Sequence, residues 1–368
     1  MRLRILLIDL FEGPGHAYYT GRLARALASA PELDVGVLVD EGQDPAHYGP
    51  DVELFPLRAP SGLRRFGPLL RQPVELARLG RVLTSFRPDL LHHVFFHPWF
   101  AGLAPFLDRR RPVLSTWHDI TPHDGEDGLV TRLTRRAMLG ESRRLFVHGP
   151  RSAEEAQRRW PALGSRIVQI PHGHFNELGG EPLRDPDEGI PAFLLFGRLG
   201  PYKGVPVALS AFERLSREGA KARLILAGEG SRAAWASSIR ALGAMVEDHP
   251  RRLTDEELRA LLARSLVVLA PYRHASASGV VATAAAHGRA VFASRLGGLA
   301  DMVKDGVNGR LFEPGRAREL AELISDAIRR PEELVAMGRE ARQFAAREWS
   351  WDRVVERTLV AYRDALED

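Results

Sequence analysis

Two short stretches hold residue types that suit a negatively charged ligand. In FGRLGPYKG, residues 196–204, Arg198 and Lys203 stand five residues apart on a loop that follows an apolar run and its last residue, Gly197. A helical pattern comes next. Two cations on one loop beside a helix N-terminus suit a diphosphate: Arg grips an oxygen pair as a fork, and Lys supplies a mobile point charge. A pair of solvated surface cations is the ordinary alternative. In PYRHASASGVVATAAAHGRAV, residues 271–291, Ser276, Ser278 and Gly279 lead into a helix predicted to open near Val280. Free N–H groups in its first turn would point at an anion. A plain Ser N-cap fits the same residues. No Asp or Glu lies between Glu257 and Asp301. The turn therefore has no carboxylate of its own with which to do acid–base work.

Other candidates are less specific. EGPGH, residues 12–16, follows the first apolar run, and Gly13 and Gly15 allow close backbone approach to a ligand. The spacing is not GxGxxG, and no GxxxxGK[ST] loop occurs, so neither phosphate fingerprint is present. A tight strand-to-helix turn explains these glycines equally well. His92, His93 and His97 follow one apolar run, His118 and Asp119 another, and His172 and His174 a third. No His pair at helical spacing with a nearby carboxylate suggests a metal site. Hydrogen bonding to a polyhydroxylated ligand is the better functional reading, against an ordinary structural role. His118 is favoured for function because it sits at a strand end beside Asp119. Asp185-Pro186-Asp187 matches Asp-x-Asp formally, but it falls in a linker-like segment and reads as coincidence.

These residues need a scaffold, and the chain predicts one. RILLIDL (4–10), LDVGVLV (33–39), DLLHHV (89–94), PVLSTW (112–117), RLFVHG (144–149) and RIVQI (166–170) read as buried strands with helical stretches between most of them. This alternation implies a parallel sheet covered on both faces. Residues 174–191 are rich in Gly, Pro and charge and read as a linker. The rhythm restarts with strands AFLLFG (192–197), ARLILAG (222–228), LVVLAP (266–271) and AVFAS (290–294). VPVALSAFERL (205–215) is a helix, and Thr254-x-x-Glu257 is a capping box opening another. The expected domains are 1–175, 176–345 and a long amphipathic helix within 346–368. Ligands of doubly wound sheets bind at the carboxyl ends of strands, so a cleft between two such domains is the expected site.

Composition bounds the rest. The 368 residues suit two domains, and 45% hydrophobic with 27% charged residues is ordinary for a globular chain. No cysteine is present, which excludes disulfides and thiolate metal sites. No apolar run approaches a bilayer span. The first apolar stretch is broken by Asp9 and Glu12 and does not read as a signal peptide. A cytoplasmic location is the plain expectation. The net charge is +4, carried almost wholly by Arg. Arg64, Arg65, Arg71, Arg78 and Arg81 cluster in an apolar-basic region, 61–83, with Arg109 to Arg111 and Arg132, Arg135 and Arg136 following. Such segments bind anionic membranes or nucleic acid, or are simply solvated faces. The absence of interleaved aromatics argues against nucleic acid.

FLLFGRLGPYKGVPVALSAFERL, LILAGEGS, TDEELRALLARSLVVLAPYR and SGVVATAAAHGRAVFASRLGGLADMVKDGVNGRLFEPG follow one another in order and spacing. Together they resemble the donor-binding domain of family-4 retaining glycosyltransferases of the GT-B fold, over most of residues 190–345. The first domain resembles that family through its Gly-containing first loop, PDLLHH, TWHD and IPHG. WSWDRVVERTLVAYRD resembles the family's closing helix, which crosses back to the N-terminal domain. The resemblance implies an α/β chain of two Rossmann-like domains facing a central cleft. It implies that Arg198 and Lys203 hold a nucleotide-sugar diphosphate, that Gly13 and Gly15 lie near phosphates and acceptor, and that His118 lies near the transferred sugar. Gly228, Glu229 and Gly230 match a glycine turn beside the nucleotide. Ser276, Ser278, Gly279 and Val280 keep the helix-start backbone. The family's Glu-x7-Glu is missing, and its positions align with Ala275 and Thr283. Ala275 has no polar side chain, and Thr283 offers one hydroxyl where a charged acceptor would grip the ribose.

The expected activity is transfer of a hexose from a nucleoside-diphosphate sugar to a glycan, lipid-linked or small-molecule acceptor, with no cofactor or metal. Retention comes only through the resemblance. Contact with the inner face of a membrane through 61–83 is a further expectation. Two alternatives stay open: a degenerate relative that binds nucleotide or glycan without turnover, and a nucleotide-sugar epimerase.

Overall fold

In the computed structural model, the described residues are 2–11, 14–58, 66–95, 97, 111–118, 120, 128–174, 189–275 and 277–368. They divide into two compact units. One comprises residues 1–148, 153–170 and 351–368, the other 149–152 and 171–350.

The first unit is built on β1 (Leu3–Asp9), β2 (Leu33–Asp40), β3 (Glu53–Leu57), β4 (Leu90–His93), β5 (Val113–Trp117), β6 (Ser142–His148) and β7 (Ile167–Ile170). They form one parallel sheet in the order β3-β2-β1-β4-β5-β6-β7. Helices α1 (Pro14–Ala28), α2 (Phe66–Ser85), α3 (Leu129–Glu141) and α4 (Pro150–Arg159) join the strands. Burial on both faces explains the continuous apolar runs: five successive residues of β1 are buried.

The second sheet runs β10-β9-β8-β11-β12-β13 and is also all parallel. Its strands are β8 (Ala192–Phe196), β9 (Arg223–Ala227), β10 (Val246–His249), β11 (Ser265–Ala270), β12 (Ala290–Ser294) and β13 (Gly309–Phe312). Between and after them lie α5 (Val205–Arg217), α6 (Ala236–Leu242), α7 (Asp255–Arg264), α8 (Gly279–Ala286), α9 (Leu299–Met302), α10 (Ala317–Arg329) and α11 (Pro331–Glu348). Alternation along β8 divides the core. Phe193 and Leu195 pack on the face with α5 and α10, while Leu194 and Phe196 pack on the face with α8 and Trp349. The expected capping box is present at α7: Thr254 N donates to Glu257 Oε2 at 2.8 Å, and Glu257 N donates to Thr254 Oγ1 at 3.2 Å.

Three strands were not legible as apolar runs: β3, β10 and β13. All are sheet edges, and their interiors are only partly buried. A strand covered on one side lacks the hydrophobic signal of a central one.

The last helix, α12 (Trp351–Glu367), packs within the first unit. Tyr362 on α12 reaches 2.6 Å from His92 Nδ1, and His92 Nε2 lies 2.7 Å from the Thr116 hydroxyl. Arg357 donates to Gln169 O at 3.1 Å, and Arg143 to Ala365 O at 2.9 Å. Among the described residues, no helix is long and apolar enough to cross a membrane.

Candidate functional site

Both sheets reverse their strand order once, between β1 and β4 and between β8 and β11. Such switch points open a crevice beyond the carboxyl ends of the two strands. In the second unit, β8 delivers Arg198 and Lys203 to that crevice, and β11 delivers Tyr272 and Ser278.

Backbone bonds fix these loops against one another. Gly197 N donates to Ala227 O at 3.0 Å, Leu199 N to Glu229 O at 2.7 Å, and Gly228 N to His249 O at 3.0 Å. Arg273 N donates to Tyr202 O at 2.8 Å, tying the turn after β11 to the turn after β8. The approach is close enough to demand glycine, as two positions illustrate. Gly204 has φ +67° and its absent Cβ would lie 1.7 Å from Pro271 O; Gly228 has φ +129° and would meet Gly197 O at 2.0 Å. Glu229 is exposed, and its contribution to the loop is its carbonyl. Beyond it, Arg232 and Asp248 pair at 2.9 Å.

Lys203 is the unusual member. It is only 5% exposed, yet among the described residues it has no carboxylate partner. Its ammonium donates to the Tyr272 hydroxyl at 2.6 Å and lies 4.3 Å from the centre of the same ring. Burial pushes its pKa below the usual lysine value; Tyr202 opposes that shift and Arg198 adds to it. Arg198 is exposed.

The helix start completes the group. Ser278 is the N-cap of α8, and its Oγ accepts from Val281 N at 3.4 Å. Among the described residues, Gly279 N and Val280 N donate to nothing. Free first-turn N–H groups and the positive end of the helix dipole favour an anion. Thr283 is buried, and its hydroxyl donates to Gly279 O at 2.7 Å. That i−4 bond occupies its proton within the helix and leaves only lone pairs.

In the first unit, the histidines divide. His92 and His93 are fully buried, and burial pushes both down to about 3, so they are neutral at ordinary pH. His92 bridges core groups rather than facing a ligand. His118 Nε2 lies 3.1 Å from Val94 O, and its Nδ1 lies 3.2 Å from His148 Nε2. A carbonyl only accepts, so His118 carries a proton on Nε2 and donates it to Val94 O. The ring stacks on Phe95 with centroids 4.2 Å apart and meets the edge of Tyr19 at 4.7 Å. Both nitrogens are thus engaged by the scaffold. Gly15 lies in the first turn of α1. Gly13, Asp119, Ser276, the Asp185–Asp187 segment, and Arg64, Arg65, Arg109 and Arg110 lie outside the described residues.

Of the expected donor-site residues, Arg198, Lys203, Gly197, Gly228, Glu229, Ser278, Gly279 and Val280 sit on the interbonded loops and helix start described above. Tyr272 escaped sequence reasoning. It follows Pro271 at a strand end, and nothing in its neighbours announces that its hydroxyl will find a lysine 69 residues earlier.

Comparison with known proteins bears on family and fold. The profile of "Glycosyltransferase Family 4" matches residues 14–174, and that of "Glycosyl transferases group 1" matches residues 190–330. Glycogen synthase of Mycobacterium tuberculosis is 28% identical over 352 residues, covering 91% of this chain and 82% of that protein. D-inositol 3-phosphate glycosyltransferase of Segniliparus rotundus is 27% identical over 314 residues, covering 77% and 67%. Among solved structures, sucrose-phosphate synthase from Thermosynechococcus elongatus superposes with a TM-score of 0.83 at 20% identity, covering both chains fully. Anabaena Alr3699/HepE, solved in complex with UDP-glucose, gives 0.75 at 20% identity, covering 98% and 100%. These two structural likenesses speak to the fold.

Proposed function

This chain belongs to glycosyltransferase family 4, and we propose that it moves a hexose from a nucleoside-diphosphate sugar to a glycan, lipid-linked or small-molecule acceptor. The observation that carries the donor reading is the buried Lys203, without a carboxylate partner among the described residues. It belongs to a carboxyl-end site that includes Arg198 and the α8 N-terminus. Such a site is built for an anion rather than for an internal ion pair.

In the proposed reaction, the bond from the sugar's anomeric carbon to the β-phosphate oxygen breaks, and its electron pair leaves with the diphosphate. An acceptor oxygen bonds to that carbon, and its proton passes to the departing phosphate or to solvent. The barrier is set by charge building on the leaving group. Preorganised cations and N–H donors lower it without rearranging during the step. Lys203, Arg198 and the Gly279–Val280 backbone fill that role. Because these groups supply the positive charge, the proposal requires no metal. Retention of configuration is part of the proposal through family membership.

Acceptor binding is assigned to the first unit. A peripheral membrane contact there draws support from α2, which exposes Val74 and Leu76 near Arg81, while Arg78 is paired with Glu41 and Glu75 at 2.8 and 3.3 Å. A cytoplasmic location, at the inner membrane face for a lipid-linked acceptor, fits this reading. Ala275 and Thr283 favour one second reading, a protein that binds donor without turnover, because neither can grip sugar or ribose as a carboxylate would.

A thermal-shift comparison of UDP, GDP and ADP tests the donor site. A ligand that binds only the folded state at about a hundred times its Kd adds roughly 2.7 kcal/mol of apparent stability. One of the three is expected to raise the melting temperature, and a null result with all three would remove the donor reading.

A further inference from the structure

We propose that Tyr272 is a positioning residue: it holds the Lys203 ammonium in place of a carboxylate and couples it to the N-cap of α8. The proposal rests on the donor reading given above and names the residue that makes that site work.

A buried ammonium needs a partner, and a carboxylate is the usual one. Here the role falls to a phenol. The Lys203 ammonium donates to the Tyr272 oxygen at 2.6 Å, which leaves it 4.3 Å from the ring centre, at the hydroxyl end. Burial raises the Tyr272 pKa well above the usual tyrosine value, so the group stays neutral. A neutral acceptor stabilises a cation without cancelling its charge. A carboxylate in the same place would neutralise the lysine and repel a diphosphate.

Direction of donation links the two loops. Tyr272 accepts from Lys203, so its own proton is available to Ser278 Oγ, 3.4 Å away. Ser278 Oγ in turn accepts from Val281 N, the third helical residue of α8. Both bonds therefore converge on Ser278 Oγ, which joins the ammonium to the helix start and leaves Gly279 N and Val280 N for a ligand. An ammonium has three N–H donors, and Tyr272 takes one. The other two have no acceptor among the described residues. Among the described residues, the other groups facing Lys203 are Tyr202, its ring 5.6 Å away, which raises the Lys203 pKa, and Arg198, which lowers it.

The consequence is directional. Diphosphate binding favours the charged lysine, so affinity falls as pH rises above the ammonium pKa of the free protein. Removing the Tyr272 oxygen destabilises the charged form and moves that fall to lower pH.

Lysine occurs only at positions 203, 221 and 304. Protein made with lysine carrying a ¹³C label at Cε gives three signals, and Lys221 and Lys304 serve as internal references. The test follows these signals against pH for wild type and Tyr272→Phe, with and without inorganic pyrophosphate or UDP, alongside steady-state kinetics. In Tyr272→Phe the Lys203 signal is expected to titrate at lower pH than in wild type, while the references do not move. Pyrophosphate and UDP should bind about tenfold more weakly, and kcat should fall more than KM rises. Phe retains the ring and its packing, so the melting temperature reports any purely structural effect separately. Coincident Lys203 titrations in the two ligand-free proteins would overturn the proposal. A wild-type Lys203 signal that neither pyrophosphate nor UDP moves, with the ligand-free difference intact, would overturn the donor reading and the coupling to diphosphate, leaving the Tyr272–Lys203 contact itself demonstrated.

Discussion

Lys203→Met is expected to lower kcat/KM for the sugar donor by about a hundred- to a thousandfold, mostly in kcat, which corresponds to roughly 3–4 kcal/mol of transition-state stabilisation. Methionine keeps an unbranched, flexible chain and removes only the ammonium. The folded state should tolerate it, because the wild-type ammonium is buried without a carboxylate partner among the described residues and its charged form is already disfavoured. Met leaves the Tyr272 oxygen without its donor, so stability need not rise. A stable variant with lost turnover separates catalysis from folding. Arg198→Ala should act in the same direction with a smaller effect, because an exposed cation is screened by solvent. Equal kcat/KM in wild type and Lys203→Met would mean that this cation does not meet the leaving group.

Gly204→Ala is expected to be the most damaging small substitution in the second unit. Two costs combine there. A non-glycine residue at φ +67° is strained, by about 1–2 kcal/mol. The added Cβ would also lie 1.7 Å from Pro271 O, a backbone atom that cannot rotate away. The loop must move, and crowding of that kind costs about 1–3 kcal/mol more. Movement separates Lys203 from Tyr272, because the two residues flank this contact in sequence, so activity should fall with stability. Gly219→Ala supplies the control. Its φ is +71°, but no atom lies within 4 Å of the added Cβ. Urea unfolding should place Gly204→Ala clearly below Gly219→Ala. Equal destabilisation of the two would show that strain alone, rather than the close approach of the two loops, governs the site.

The sequence carried the central strands because they are buried on both faces: β1, β8 and β11 each read as a run of apolar residues. Lys203 and Arg198 were legible because the two cations share one short loop. Partnerships between distant residues were not. His92 looked like a strand-end residue available to a ligand, but Tyr362, which joins it to the core, lies 270 residues away. Tyr272 was hidden for the same reason. Thr283 was legible as a hydroxyl but not as one whose proton goes to its own helix, since that depends on a rotamer rather than on residue type. The edge strands lacked a signal because half their surroundings are not core.

Turnover tests the central claim most directly. The wild-type protein is incubated with UDP-, GDP- and ADP-hexoses, with and without sugar acceptors, and nucleoside-diphosphate release and the fate of the sugar are measured together. The account predicts release with one nucleotide class, coupled to transfer or slow hydrolysis of the sugar and lost in Lys203→Met. Measurable nucleoside-diphosphate binding with no release from any donor would contradict it and leave a binding protein. Isomerised free donor without acceptor would contradict it in favour of an epimerase.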